Sequence, residues 1–363
     1  MRYCGVLLLF LSACDSTMNG PDGGGSSAAT LQPGSAGTGH LAYLVETQSG
    51  RELEVVNLTT AKVEYRSAED DGEVSQFFLS ADGTTAAFRT ATRRCVRVAL
   101  PSGTTSDCAP AGLMLIYLSG ISNDGARVSF TAARADTFQP TRVIAEGGQV
   151  TFLAEPPDTD SSQVTGGGGI SPDGEYLYEF RIPKNNGGLN PPLSLLKYPR
   201  SGGAPSVVFD GSAGVLASSI TDVTLQQNEA GTRGLFTCFD GSRMVPAERL
   251  STCAVDLQTG AVTRVPNAVG SLSLDGSRLV TVPPFGEGYR VYEFGSTTPL
   301  NTVTRPGGAV ALSPDGARLA FRMREDDAFY VAATMPVSGG AAVRVQRDDS
   351  MTRAEPEYLL WKR

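Results

Sequence analysis

Histidine is almost missing from this chain: of 363 residues only His40 carries an imidazole, and Trp361 is the only tryptophan. A single imidazole excludes every catalytic plan built on a histidine pair or triad, and every histidine-rich metal site. An excess of basic residues is missing too, since 30 Lys+Arg face 38 Asp+Glu for a formal charge of -8. Affinity for a phosphate backbone starts from clustered Lys and Arg, so nucleic acid is not the expected partner. Long helices are disfavoured by the 42 Gly and 22 Pro, which suit many short strands joined by tight turns. What remains is globular in composition, with 40% hydrophobic and 19% charged residues, enough to bury a large core and to confine disorder to segments.

One apolar run stands at the start. Arg2 precedes Val6 to Leu11, which leads into Leu11-Ser12-Ala13-Cys14. The run is too short to span a bilayer and has the order of a secretory signal. Its last four residues resemble the lipobox of bacterial lipoproteins at every position. That resemblance implies a signal peptide over residues 1–13 and acylation of Cys14, which would anchor the exported protein to a lipid bilayer, each buried methylene contributing ~0.8 kcal/mol. An ordinary signal peptide with an incidental cysteine is the alternative. Asp15 resembles an inner-membrane retention signal of enterobacterial lipoproteins, but other bacteria sort differently, so inner and outer membrane both stay open. Residues 14–39 are rich in Gly, Ser and Pro and read as a flexible tether reaching roughly 25 to 30 Å.

From residue 40 to 363 one element recurs: LSADGTTAAF (79–88), ISNDGARVSF (121–130), ISPDGEYLYEF (170–180), LSLDGSRLVTV (272–282), LSPDGARLAF (312–321) and a weaker LQQNEAGTRGLF (225–236). Their glycines, Gly83, Gly125, Gly174, Gly231, Gly276 and Gly316, are spaced by 42, 49, 57, 45 and 40 residues, a period that means a solenoid or a propeller. Asp-Gly between two β-rich runs is a hairpin turn, because Gly takes positive φ freely and Asp bonds the turn backbone. Downstream, apolar residues alternate, as in Leu319 and Phe321, placing them on one strand face. The Gly174 copy is less clean, with Tyr176, Tyr178 and Phe180 one step out of phase with Leu177.

A second series of hairpins, around Thr59-Thr60, Ser102-Gly103, Gly147-Gly148, Gly202-Gly203, Thr259-Gly260, Gly295 to Thr298 and Gly339-Gly340, has seven members against six of the first. The mismatch is solved if the first blade lacks its own innermost strand and the run Glu357 to Trp361 supplies it. The expected fold is all-β: a single propeller of seven four-stranded antiparallel blades closed by the C-terminal strand, with six or eight blades as alternatives. The Ser-Pro-Asp-Gly element resembles the WD40-like propeller repeat of TolB and its relatives over nearly the whole of 40–363. That resemblance implies a periplasmic scaffold that binds other envelope proteins, although the N-terminal domain of TolB proteins is not matched here.

Cys4 and Cys14 belong to the export segment, leaving Cys95, Cys108, Cys238 and Cys253. Each local pair sits on neighbouring strands, so disulfides 95–108 and 238–253 are expected, each worth about 3 kcal/mol in the chain-entropy model. A four-cysteine metal site would need close CxxC spacing, and none is present.

Sorting loops by the side of the ring on which they emerge brings Glu69, Asp70, Asp71 and Glu73 to the same face as Glu325, Asp326 and Asp327, and as Asp348 with Asp349. Glu155, Asp158 and Asp160 lie on that face further round, as does the loop PKNNGGLNPP (183–192). Two readings stand side by side: solvated acidic loops, or a binding rim that attracts a cationic partner. Neither a metal nor another cofactor is expected. A propeller-linked serine peptidase would need a further α/β domain and a G-x-S-x-G elbow, and neither fits. Two carboxylates acting on envelope polysaccharide, with or without a divalent cation, form the enzymatic alternative. The favoured reading is a monomeric, lipid-anchored, non-catalytic scaffold for an envelope protein or glycan. If the rim binds, exchanging Asp70, Asp71, Asp326 and Asp327 for Asn weakens capture of an envelope partner in a co-purification assay; unchanged capture removes the rim.

Overall fold

The computed structural model describes residues 31–47, 50–68, 72–110, 112–134, 140–153, 162–183, 192–216, 224–239, 250–266, 268–283, 288–304, 310–324, 330–345 and 359–363. Its strands form seven four-stranded antiparallel sheets. Six of these are consecutive in sequence, the second beginning at Val74–Leu79 and the seventh at Val310–Leu312. Blade one is composite: Leu359–Lys362 lies inside His40–Thr47, followed outward by Gly50–Asn57 and Lys62–Arg66. The closing register pairs His40 with Lys362, Leu41 with Trp361, Ala42 with Leu360 and Tyr43 with Leu359. The missing inner strand is therefore supplied from the far end of the sequence, as the hairpin count requires.

The repeated turn explains why Ser, Asp and Gly recur at fixed spacing. In blade seven the Ser313 hydroxyl donates to Asp315 Oδ1 at 2.6 Å and accepts the Arg318 amide at 2.9 Å, while Asp315 Oδ1 also accepts the Ala317 amide at 3.0 Å. Ser80–Asp82, Ser122–Asp124, Ser171–Asp173 and Ser273–Asp275 repeat this network. The glycine that follows has φ between 65° and 75° in all six copies, a region open to Gly without steric cost. It also sits against the preceding blade: a Cβ on Gly125 would fall 2.4 Å from Thr85 Cβ. In the degenerate copy Asn228 performs both roles, its Oδ1 accepting the amides of Thr232 and Arg233 at 3.0 and 2.8 Å.

Alternation along the second strand of each blade is large against small, because both faces of a blade are covered by neighbours. Leu319 and Phe321 pack on Tyr289 and Val291 of blade six, whereas Ala320 and Ala332 face Tyr43 and Trp361 of blade one. The same rule resolves the irregular fourth copy. Leu177 joins Ile144 and Ile170 towards blade three, while Tyr178 and Phe180 pack towards blade five, with Phe180 and Phe236 ring centroids 4.8 Å apart.

Residues 31–39, which composition assigns to the tether, pack against this body. Leu31 and Ala36 are buried with Trp361, whose indole N–H donates to the Thr38 carbonyl at 2.8 Å. The ordered body thus begins ahead of His40. Both disulfides form, Cys95–Cys108 and Cys238–Cys253, with Cα separations of 5.2 and 5.9 Å, and each lies within one blade. Ring closure therefore has no covalent tie among the described residues. Trp361 is 3% exposed at that closure, so Trp361→Ala should cost about 3–5 kcal/mol and deletion of residues 358–363 more. A thermal melt reads both, and an unchanged melting temperature for the deletion refutes closure by this strand.

Candidate functional site

Neighbouring blades are tied together on the Asp-Gly face in two ways. An arginine opening the second strand reaches the next turn: Arg127 Nη1 donates to the Asp173 carbonyl at 2.6 Å, Arg233 Nη1 to Gly276 at 2.7 Å and Arg278 Nη1 to Gly316 at 3.0 Å. Arg318 Nε donates instead to the Ala36 carbonyl at 3.1 Å. Backbone amides add a second tie around the axis, as in Asn123 to Pro172 at 2.8 Å, Glu229 to Leu274 at 2.7 Å and Asp275 to Pro314 at 3.0 Å.

Between blades four and five neither of these turn-to-turn ties is made among the described residues, and the inner strands are joined instead by the Leu225 amide to the Gly168 carbonyl at 3.0 Å and by Gln227 Nε2 to the Ile170 carbonyl at 2.7 Å. The arginine position holds Tyr176, and Ala230 stands where the other turns have aspartate. A cleft of about 830 Å³ opens there, within the size range of small-ligand sites. Asp124 and Asp173 border it on one side, Gln258 and Thr259 on the other, with Tyr176, Tyr178 and Lys197 also in its lining. The Lys197 ammonium lies 3.8 Å from the Tyr176 ring centroid and 5.9 Å from that of Tyr178, a cation held by ring faces. It makes no ion pair with a described residue. Burial pushes the Tyr178 phenol up to about 12, helped by Asp173 and Tyr176, so it stays protonated. Burial also works to raise Asp124 and Asp173, but the serine hydroxyls and turn amides outweigh it and hold both carboxyls below the ordinary range.

No family model and no curated protein matches the sequence. Among solved structures it is similar to an oligogalacturonate lyase in complex with manganese, at 12% identity and a TM-score of 0.57 over 78% of this chain and 82% of that one. It is similar to hydrazine synthase of Kuenenia stuttgartiensis at 15% identity and a TM-score of 0.52, over 91% of this chain and 100% of that one. TolB from Acinetobacter baumannii aligns at 14% identity with a TM-score of 0.48, over 89% and 67% of the two chains. The likeness is one of fold. This chain is a seven-bladed β-propeller.

Of the acidic rim expected on the propeller, only Glu73 falls among the described residues, where it accepts from Arg51 Nε at 2.7 Å. Glu69, Asp70, Asp71, Glu155, Asp158, Asp160, Glu325, Asp326, Asp327, Asp348 and Asp349 lie outside them, as do Cys14 and most of the 183–192 loop. The aspartates of the repeat are turn residues, as expected, and two of them double as cleft lining. Tyr176, Lys197 and Gln258 were not singled out as site residues. The out-of-phase tyrosines and the degenerate turn were the available signal, since both depart from the repeat at one junction. Among the described residues no group of His, Cys, Asp and Glu can hold a metal, and no helix is long and apolar enough to cross a membrane.

The first strands of the blades also line a narrow axial channel, at whose Asp-Gly mouth Arg363 reaches across to Glu229 at 2.5 Å. Beneath it, Lys362 is half-buried in the channel wall, and desolvation lowers its pKa from 10.5 to about 8 against the pull of Glu229. Below about pH 8 the ammonium is charged folded and unfolded, and the fold bears its desolvation. As pH climbs from about 8 to 10.5 the folded chain releases the proton first, so stability rises across that window. Lys362→Met should raise the melting temperature near neutral pH and lose most of that advantage at the top of the window; a constant difference refutes the assignment.

Proposed function

We propose that this propeller is an exported, lipid-anchored scaffold that binds a partner in the bacterial envelope without chemistry, through the cleft between blades four and five. The observation that carries the reading is the break in the repeat. Blades one and two also lack the arginine, with His40 and Thr85 in its place, but between blades four and five both the arginine and the Ser-x-Asp turn give way, to Tyr176 and to Asn228-Glu229-Ala230. A structural repeat has no packing reason to open a cleft of about 830 Å³ there, and fold alone does not choose a function.

Export is supported by the leader, the lipobox-like Leu11-Ser12-Ala13-Cys14, and the two intrablade disulfides, which persist in oxidising compartments. Acylation at Cys14 would hold the body at a membrane surface. Catalysis finds little support, because the cleft carboxylates nearest the tyrosines, Asp124 and Asp173, are engaged in turns and held ionised, a poor state for a general acid.

A photo-cross-linking residue at Gln258, compared with one at Thr298 on an outer hairpin of blade six, tests the site in intact cells. Adducts specific to position 258, lost or changed when Cys14→Ala prevents anchoring, are the expected result. Equal adducts at both positions, or none at either, would overturn it.

A further inference from the structure

The cleft between blades four and five has a lining that names a ligand class. Asp124 and Asp173 each spend Oδ1 on a serine hydroxyl and a turn amide, while neither Oδ2 bonds a described residue. The Gln258 side-chain amide and the Ser206 hydroxyl likewise make no bond to a described residue, and Gln258 is exposed. Lys197 adds a cationic donor held on the Tyr176 ring. Acceptors and donors are thus interspersed around the Tyr176 ring. This mixture matches a ligand that carries hydroxyls, each both donor and acceptor, on a carbon frame whose C–H edges pack on rings.

Charge narrows the class. With Glu229 paired to Arg363 at 2.5 Å, Asp124 and Asp173 in the lining face one ammonium, Lys197, an excess of carboxylate that disfavours a polyanion. An extended peptide added to the edge of blade four is disfavoured as well. The outer strand Ser206–Phe209 passes along the cleft, but blade five closes on its edge at Gly260, where a Cβ would fall 2.1 Å from the Val208 carbonyl oxygen. That oxygen is not open to a new strand.

We infer that the cleft binds a neutral, hydroxyl-rich oligosaccharide, with the half-buried Tyr176 ring as its aromatic contact and Asp173, Lys197 and Gln258 as its polar contacts, Tyr178 lying buried beneath them. The inference rests on the scaffold reading and deepens it. Binding here needs no metal and breaks no bond, so the saccharide is recovered unchanged.

The test uses the full-length protein on an array of neutral, amino-bearing and polyanionic oligosaccharides, followed by titration of the best neutral probe. Neutral probes should bind, and Gln258→Ala and Lys197→Ala, both surface changes, should each weaken binding severalfold, with Tyr176→Ala weakening it by about tenfold or more. Asp315→Asn, in the blade-seven turn, should leave it unchanged. Polyanionic probes alone binding, no probe binding, or neutral binding indifferent to all three cleft variants would overturn the inference. If no saccharide binds while position 258 still cross-links a protein in cells, the saccharide assignment falls and the scaffold reading stands.

Discussion

The fold depends on four residue pairs, those joining Leu359–Lys362 to His40–Tyr43. Every blade of a propeller buries both of its faces on neighbours, so an unclosed ring would leave two faces bare and a strand edge open to other chains. Closing it gives blade one its inner strand and gives Trp361 a home among Leu31, Ala36, Leu41 and Tyr43. Every blade is joined to the next by a covalent connection as well as by packing, and the noncovalent joint lies inside blade one, between Leu359–Lys362 and His40–Thr47. This junction has only hydrogen bonds and buried apolar surface.

Around that ring the Asp-Gly turns serve two purposes. Within a blade they satisfy the ends of two strands, and between blades they bring glycine and arginine close enough to bond the next turn. Because the same short segment does both, a change in one copy alters a junction as well as a hairpin. Tyr176 in place of arginine and Asn228-Glu229-Ala230 in place of Ser-x-Asp fall on opposite sides of one gap. The cleft follows from these two departures acting together, since the junction of blades two and three also lacks the arginine but keeps Thr85 packed against Gly125 and the Asp82 amide bonded to Asn123.

Much of the architecture was legible in the sequence because turns are local: Ser, Asp and Gly at fixed offsets determine a hairpin whatever surrounds it, and the count of hairpins demanded a borrowed strand. Both cysteine pairs could be read for the same reason, each lying on adjacent strands. The cleft was not legible, because it is made by what blades four and five fail to do to each other. Lys197, Ser206 and Gln258 belong to different hairpins and have no fixed spacing. The tether boundary was misjudged for a related reason. Leu31 and Ala36 sit in a stretch whose Gly, Ser and Pro content signals freedom, and their burial depends on Trp361, more than 300 residues away.

The packing of residues 31–39 has a mechanical side. Ala36 is gripped by Arg318 and Thr334 of blade seven, and Thr38 by the indole of Trp361, so this stretch lies across the ring's one noncovalent seam. Tension applied to the chain upstream of Leu31 would be shared between blade seven and the closing strand before it reached His40. The segment acts as a strain relief, spreading a tug over both lips of the seam rather than unpicking the zipper from its end.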